Sequence, residues 1–174
     1  MSEQYNKVKE DKSIKRLLVC YYTGVISKNP NGDMGIGAVV YDTLGHPLER
    51  NKHGEVQQEP NTLWKVLYEY NEFYPYSFSG FKTTTNNVAE YLAFIKVCEF
   101  LTESAPKDMQ VYILGDSQFI RNQMLGYWSI KEGAYYECAI KAEKLYDNLP
   151  QKSKHIVWIP KELNSIAYEL SRKR

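Results

Sequence analysis

Hydrophobic positions along the chain fall into short blocks closed by Gly, Asn and Pro. Leu17 to Tyr22 and Gly35 to Tyr41 are apolar runs with turn residues crowded between Gly24 and Gly32, which predicts a hairpin of buried strands. Val88, Leu92, Ile95 and Leu101 recur at helical spacing, with Ala89 and Cys98 beside them, and predict a helix. The run Val111-Tyr112-Ile113-Leu114 breaks at Gly115, so Asp116 is expected at a strand tip. Phe119, Ile120 and Met124 suggest a short helix ending at Gly126, and Tyr135, Ala139, Ala142, Leu145 and Leu149 a longer one ending at Pro150. A strand from His155 to Ile159 and a helix from Asn164 to Arg172 close the pattern. Between Asp42 and Thr83, Leu63, Val66, Leu67, Tyr70 and Tyr74 follow i, i+3, i+4, i+7 and i+11 after a cap at Asn61 or Thr62. That spacing predicts an inserted amphipathic helix, with Tyr76 to Lys82 as the third strand. An opening meander followed by alternating helices and strands argues an α/β fold with a mixed sheet.

The 174 residues, 43% of them hydrophobic, suit one globular domain. Residues 1–16 mix charges without an apolar core, fit neither a secretory nor a transit signal, and are expected to be a mobile N-terminal tail; residues 17–174 form the domain. No apolar stretch approaches the roughly 20 residues that cross a bilayer, so no membrane role is expected. A net charge of +1 exerts no strong pull on nucleic acid, yet beyond Pro150 six cations face only Glu162 and Glu169. Cys20, Cys98 and Cys138 lack metal-ligand spacing and sit in apolar contexts, which suits buried thiols in a reducing compartment, cytoplasmic or nuclear. Trp64, Tyr68, Phe73 and Tyr76 make the segment before Thr83 the most aromatic part of the chain. These rings either pack onto the sheet or serve partner docking or base stacking.

Two acidic residues stand out by setting. Glu90 opens a helix and Asp116 ends a strand. Each has a structural alternative: Asn87 and Glu90 have capping-box spacing, and Asp116 has the residue type of an N-cap.

The runs that carry these residues, Thr83-Thr84-Thr85-Asn86-Asn87-Val88-Ala89-Glu90-Tyr91 and Val111-Tyr112-Ile113-Leu114-Gly115-Asp116-Ser117, resemble ribonuclease H type I. So do Tyr21-Tyr22-Thr23-Gly24, Asn29-Pro30 and Gly35 to Asp42 as its opening hairpin, and Trp158-Ile159-Pro160 with Asn164, Ala167 and Leu170 as its last strand and closing helix. The resemblance implies a five-stranded mixed sheet flanked by helices, here with an aromatic-rich insertion at about 46–75 between the second and third strands. It also implies a catalytic cluster of four carboxylates holding two magnesium ions for in-line phosphodiester hydrolysis. Two of the four are replaced: Thr23 stands where the family has Asp before the Gly, and Tyr168 where it has Asp after the Ala. Glu90 and Asp116 remain. Asp33 and Glu169 are poor substitutes, the first in a turn and the second rotated about 100° along a helix from the lost position.

The family's contacts with nucleic acid are better preserved. Asn86 and Asn87 match residues that reach the minor groove of an RNA/DNA hybrid, and hydroxyls at Thr84 and Thr85 can contact phosphate, with capping the rival role for all four. Asn29, Ser117 and Lys161 complete the nucleic-acid-binding set that the resemblance implies, while Arg121, Lys131 and the basic C-terminus offer further cations. His155 lies inside a strand and reads as structural. The Tyr168 hydroxyl can donate to Asp116 or Glu90, with Thr23 a second neutral donor, giving a metal-free pocket; unselected replacement is the alternative. The expected function is a catalytically degenerate ribonuclease H-like protein that binds an RNA/DNA hybrid or structured RNA, or serves a nucleic-acid-handling complex, with no cofactor or a weakly bound magnesium at Glu90 and Asp116. The alternatives are an active metal-dependent hybrid ribonuclease and a structural subunit that docks a protein through the aromatic segment 61–78.

Overall fold

A computed structural model describes residues 16–174. The expected tail, apart from Arg16, lies outside the described residues.

Five strands form a single sheet in the order β3-β2-β1-β4-β5. They are β1 (Leu17–Ile26), β2 (Met34–Asp42), β3 (Lys65–Tyr74), β4 (Gln110–Gly115) and β5 (Ser153–Trp158). β2 runs antiparallel to both β1 and β3, whereas β4 lies parallel to β1 and β5 parallel to β4. The carboxyl ends of β1, β3, β4 and β5 therefore open on one edge of the sheet. The helices are α1 (Asn86–Glu103), α2 (Gln118–Met124), α3 (Tyr136–Asp147) and α4 (Ser165–Ser171). The hairpin, α1 and the five segments after it stand where the apolar pattern places them.

One face of the sheet carries the larger core. Leu18, Cys20 and Tyr22 of β1 meet Ala89, Phe94 and Cys98 of α1, with Ala139 and Ala142 of α3 behind them. Tyr22 and Phe94 meet edge to face, their ring centroids 5.4 Å apart; burying such a ring contributes about 1.5–3 kcal/mol. The opposite face holds a smaller core of Val19, Tyr21, Val39 and Val157 under α4 and the β2–β3 connection, which supplies Val56 and Trp64. All three cysteines are buried and free. Among the described residues no helix is long and apolar enough to cross a membrane.

The segment after β2 differs from expectation. No helix spans Leu63 to Tyr74; Lys65–Tyr74 is β3 itself, paired along β2 from Asp42 to Met34. The register shifts at Val40/Tyr41, so Leu67 is an extra residue on β3. That bulge resets the alternation and gives the apolar residues a false helical period. Beyond it Tyr68, Tyr70 and Tyr74 face the α1 core, and Tyr68 stacks on Phe100 at 4.6 Å. Tyr76 to Lys82 is not the third strand: it holds a 3₁₀ turn, Tyr76–Phe78, followed by Gly80 at φ +79°. The extra length lies in the β2–β3 connection, residues 43–64, whose single bridge joins Arg50 to Val56. Trp64 is buried and Tyr68 half-buried, so these rings pack the strand rather than present a docking helix.

Candidate nucleic-acid interface

Gly24 sets the relation between the first strand and the first helix. A Cβ there would lie 2.2 Å from the Ala89 carbonyl carbon and 2.5 Å from the Glu90 nitrogen. Only glycine allows this approach, which places Glu90 directly over the end of β1 beside Thr23. On the other face Gly37 admits α4, since a Cβ would stand 2.1 Å from the Ala167 carbonyl oxygen. Tyr168 is thereby set at the same end of the sheet, while Asp116 follows the last residue of β4.

These elements enclose an open cleft of about 660 Å³ at the carboxyl edge. Thr23, Asn86, Asn87, Glu90, Asp116, Ser117, Lys161 and Tyr168 all line it, joined by Phe119 and Trp158. A larger groove of about 1050 Å³ between α1 and α3 shares none of these lining residues and is lined by lysines and glutamates, among them Lys96 and Lys141, both paired with Glu99 at 3.5 Å.

Neither acid serves as a helix cap. Thr85 is the N-cap of α1 and accepts from the Val88 amide, and Ser117 is the N-cap of α2 and accepts from the Ile120 amide. Glu90 sits a turn inside α1, 5% exposed, with its Oε2 lacking any hydrogen-bond partner. Burial, then the nearby Asp116, push its carboxyl well above the ordinary carboxylate range; the Gly24 amide, Thr23 and Lys161 pull the other way. The Thr23 hydroxyl reaches both acids, at 3.5 Å from Glu90 Oε1 and 3.3 Å from Asp116 Oδ1. Having one proton, it serves one acceptor at a time. Asn164 is the second donor: its Nδ2 gives one hydrogen bond to Asp116 Oδ1 at 3.0 Å and another to the Tyr22 carbonyl at 2.9 Å.

The residue expected in that role was Tyr168. Among the described residues its hydroxyl makes no hydrogen bond to either acid; the side chain is 37% exposed, with Arg172 over its ring at 5.6 Å. Its place on the outward side of α4 turns it along the cleft wall. The threonines differ from each other. Thr84 is fully buried and donates to the Gly32 carbonyl at 2.7 Å, which removes it from any phosphate contact, whereas Thr85 accepts from the Val88 amide as the cap of α1 and an accepting hydroxyl still has a proton to donate. Asn29 stands outside the cleft, where its Oδ1 accepts from the Asn86 amide at 3.3 Å and fixes the start of α1. Asp33 accepts from the Tyr76 amide in the hairpin tip, and neither it nor Glu169 lines the cleft. His155 stacks on Tyr112 with centroids 4.7 Å apart, a structural setting.

A mixed sheet of this order, with acids at the ends of β4 and the start of α1, defines a ribonuclease H-type α/β domain. No family model matches the chain. It is similar to LC11-RNase H1, isolated from compost by a metagenomic approach: 30% identical, covering 89% of this chain and 92% of that one, TM-score 0.63. The same enzyme solved in complex with an RNA/DNA hybrid is 29% identical, with coverage of 88% and 92% and TM-score 0.62. The N-terminal RNase H domain of a Mycobacterium tuberculosis protein is 23% identical, covering 90% and 91%, with TM-score 0.63. YpeP, an uncharacterized protein of Bacillus subtilis strain 168, is 26% identical over 135 residues, 76% of this chain, and the chain spans about half (47%) of its length. The chain belongs to the ribonuclease H-like superfamily.

Proposed function

We propose that this protein binds nucleic acid, an RNA/DNA hybrid or structured RNA, through the cleft at the carboxyl edge of its sheet, and that the cleft no longer supports two-metal cleavage. One observation carries the reading: Thr23, a neutral donor, stands between the two surviving acids and Asn164 donates to Asp116, beneath a wall that exposes Asn86 and Lys161. The likeness to an enzyme solved on an RNA/DNA hybrid supports the ligand class.

The metal that the family implies fits this donor set poorly. Two ions about 3.5–4 Å apart need a shared carboxylate shell, yet among the described residues no three His, Cys, Asp or Glu come together as a metal-holding group. Asp116 Oδ1 already accepts from two side chains, and Glu90 is biased toward its neutral, protonated form.

The test is an equilibrium titration of hybrid and DNA duplex over a range of salt. Backbone and 2′-hydroxyl recognition gives affinity that falls steeply with salt and favours the hybrid. Asn86→Ala with Asn87→Ala is expected to weaken it severalfold. Equal affinity for DNA duplex, or indifference to those substitutions, overturns the proposal. A second reading, a single-ion hybrid ribonuclease, rests on Glu90 Oε2, a buried acceptor without a partner that a cation would satisfy.

A further inference from the structure

We propose that the segment between β3 and α1, residues 75–82, is a second contact for the same nucleic acid, with the Phe78 ring packing on a sugar or an unstacked base where a hybrid runs on from the cleft. The inference rests on the nucleic-acid-binding reading above and extends the footprint to residues that reading does not use.

Phe78 is 85% exposed, the most exposed large apolar side chain among the described residues. Its base is well tied down. The Tyr76 amide donates to Asp33 Oδ1 at 2.9 Å, the Tyr76 hydroxyl to the Lys82 carbonyl at 3.2 Å, and the Ser79 hydroxyl to the Tyr76 carbonyl at 3.0 Å. The ring is therefore held out on an ordered turn and stands largely uncovered among the described residues.

Topology says what can cover it. Phe78 follows the carboxyl end of β3, on the same sheet edge as the cleft. From β1, which carries Thr23, to β3 is two strand spacings, about 10 Å, a small fraction of the length of a duplex with a charge every few Å. The hairpin tip lies between them, where the Asn31 amide donates to the Thr84 carbonyl at 2.8 Å. Chain continuity joins the turn through Lys82 and Thr83 to the cleft residues Asn86 and Asn87.

Two cations at this edge can meet phosphate: Lys28 and Lys82 are both exposed, and α1 has no acidic residue in its first turn. An exposed ring on a segment that also carries Lys82 matches the pairing of stacking and phosphate contacts used on unpaired or end-frayed strands.

The experiment compares hybrid affinity of the natural chain, Phe78→Ala, Phe78→Trp, Lys82→Gln, and the Asn86→Ala/Asn87→Ala control, at several salt concentrations and with sedimentation of each free protein. Phe78→Ala is expected to weaken binding by about fivefold to tenfold with an unchanged salt slope, because the lost contact is stacking. Phe78→Trp should restore it, and Lys82→Gln should lower the salt slope by about one phosphate contact. Wild-type affinity in Phe78→Ala, while the asparagine control still weakens binding, overturns this inference and leaves the cleft reading intact. Loss of response in the asparagine control, or no hybrid binding by the natural chain, removes the cleft reading and this inference with it. Self-association abolished by Phe78→Ala overturns it in favour of a second copy of the chain as the occupant.

Discussion

Glu90 shows how one residue's environment decides what the site does. Its carboxyl is raised by burial first and Asp116 second. Below the ordinary Glu range, about pH 4.3, folded and unfolded chains both hold this proton and the residue costs nothing. As pH rises the unfolded chain releases it while the folded chain retains it, so stability falls until the folded pKa is passed. Glu90→Gln removes that slope while keeping shape. Thermal melts are expected to show equal stability of the two proteins near pH 4 and a higher Tm for Glu90→Gln at pH 8; a lower Tm at pH 8 would show that Glu90 is ionised and paired. Asn164 has the opposite character. Asn164→Ala strips a donor from the Tyr22 carbonyl and one of the two that reach Asp116 Oδ1, and removing a partner from buried groups of this kind costs about 1–3 kcal/mol, or roughly 2–4 °C in Tm per kcal/mol at this chain length. Glu90 and Asp116 could be read from the sequence because short flanking runs carry them. The donor role of Asn164 could not, since an asparagine ahead of a helix reads as a cap, and its partner Tyr22 is 142 positions away.

At the scale of elements, legibility followed burial. β1, β2 and α1 announce themselves because nearly every residue of the strands and the inward stripe of the helix is apolar. β3 did not, because it is a half-exposed edge strand whose inner face is built from tyrosines and Glu72, and because the bulge at Leu67 breaks its alternation. The consequence is testable. Deleting Asn61 to Phe73 with a Gly/Ser bridge removes nearly all of a strand that pairs with β2 along its whole length, and cooperative thermal unfolding is expected to disappear. A sharp transition in that deletion would mean that β3 is dispensable to the core. Gly24→Ala probes the opposite kind of element contact, backbone against backbone. With a Cβ 2.2 Å from the Ala89 carbonyl carbon, α1 has to move off β1, at a cost of about 1–3 kcal/mol and with Glu90 displaced from Thr23.

The whole molecule brings the ends of four strands, the start of α1 and the exposed face of α4 to one edge, where Glu90 and Asp116 line a common cleft. Whether that edge cuts or only holds is a question about charge. In-line hydrolysis with two metals needs several carboxylates to hold the cations and the developing charge, and this edge offers two, one of them biased toward its neutral form. A hybrid-cleavage assay in magnesium and in manganese is therefore expected to give negligible turnover for the natural chain. Thr23→Asp with Tyr168→Asp supplies two further acids at positions that line the same cleft as Glu90 and Asp116, and partial, metal-dependent cleavage is the expected gain. The same substitutions put like charges together where Thr23 now bridges two acids, so the metal-free variant should melt below the natural chain and recover on adding magnesium. Robust cleavage by the natural chain, lost in Glu90→Ala and in Asp116→Ala, would reject the binding-only reading and establish a working nuclease built on two carboxylates.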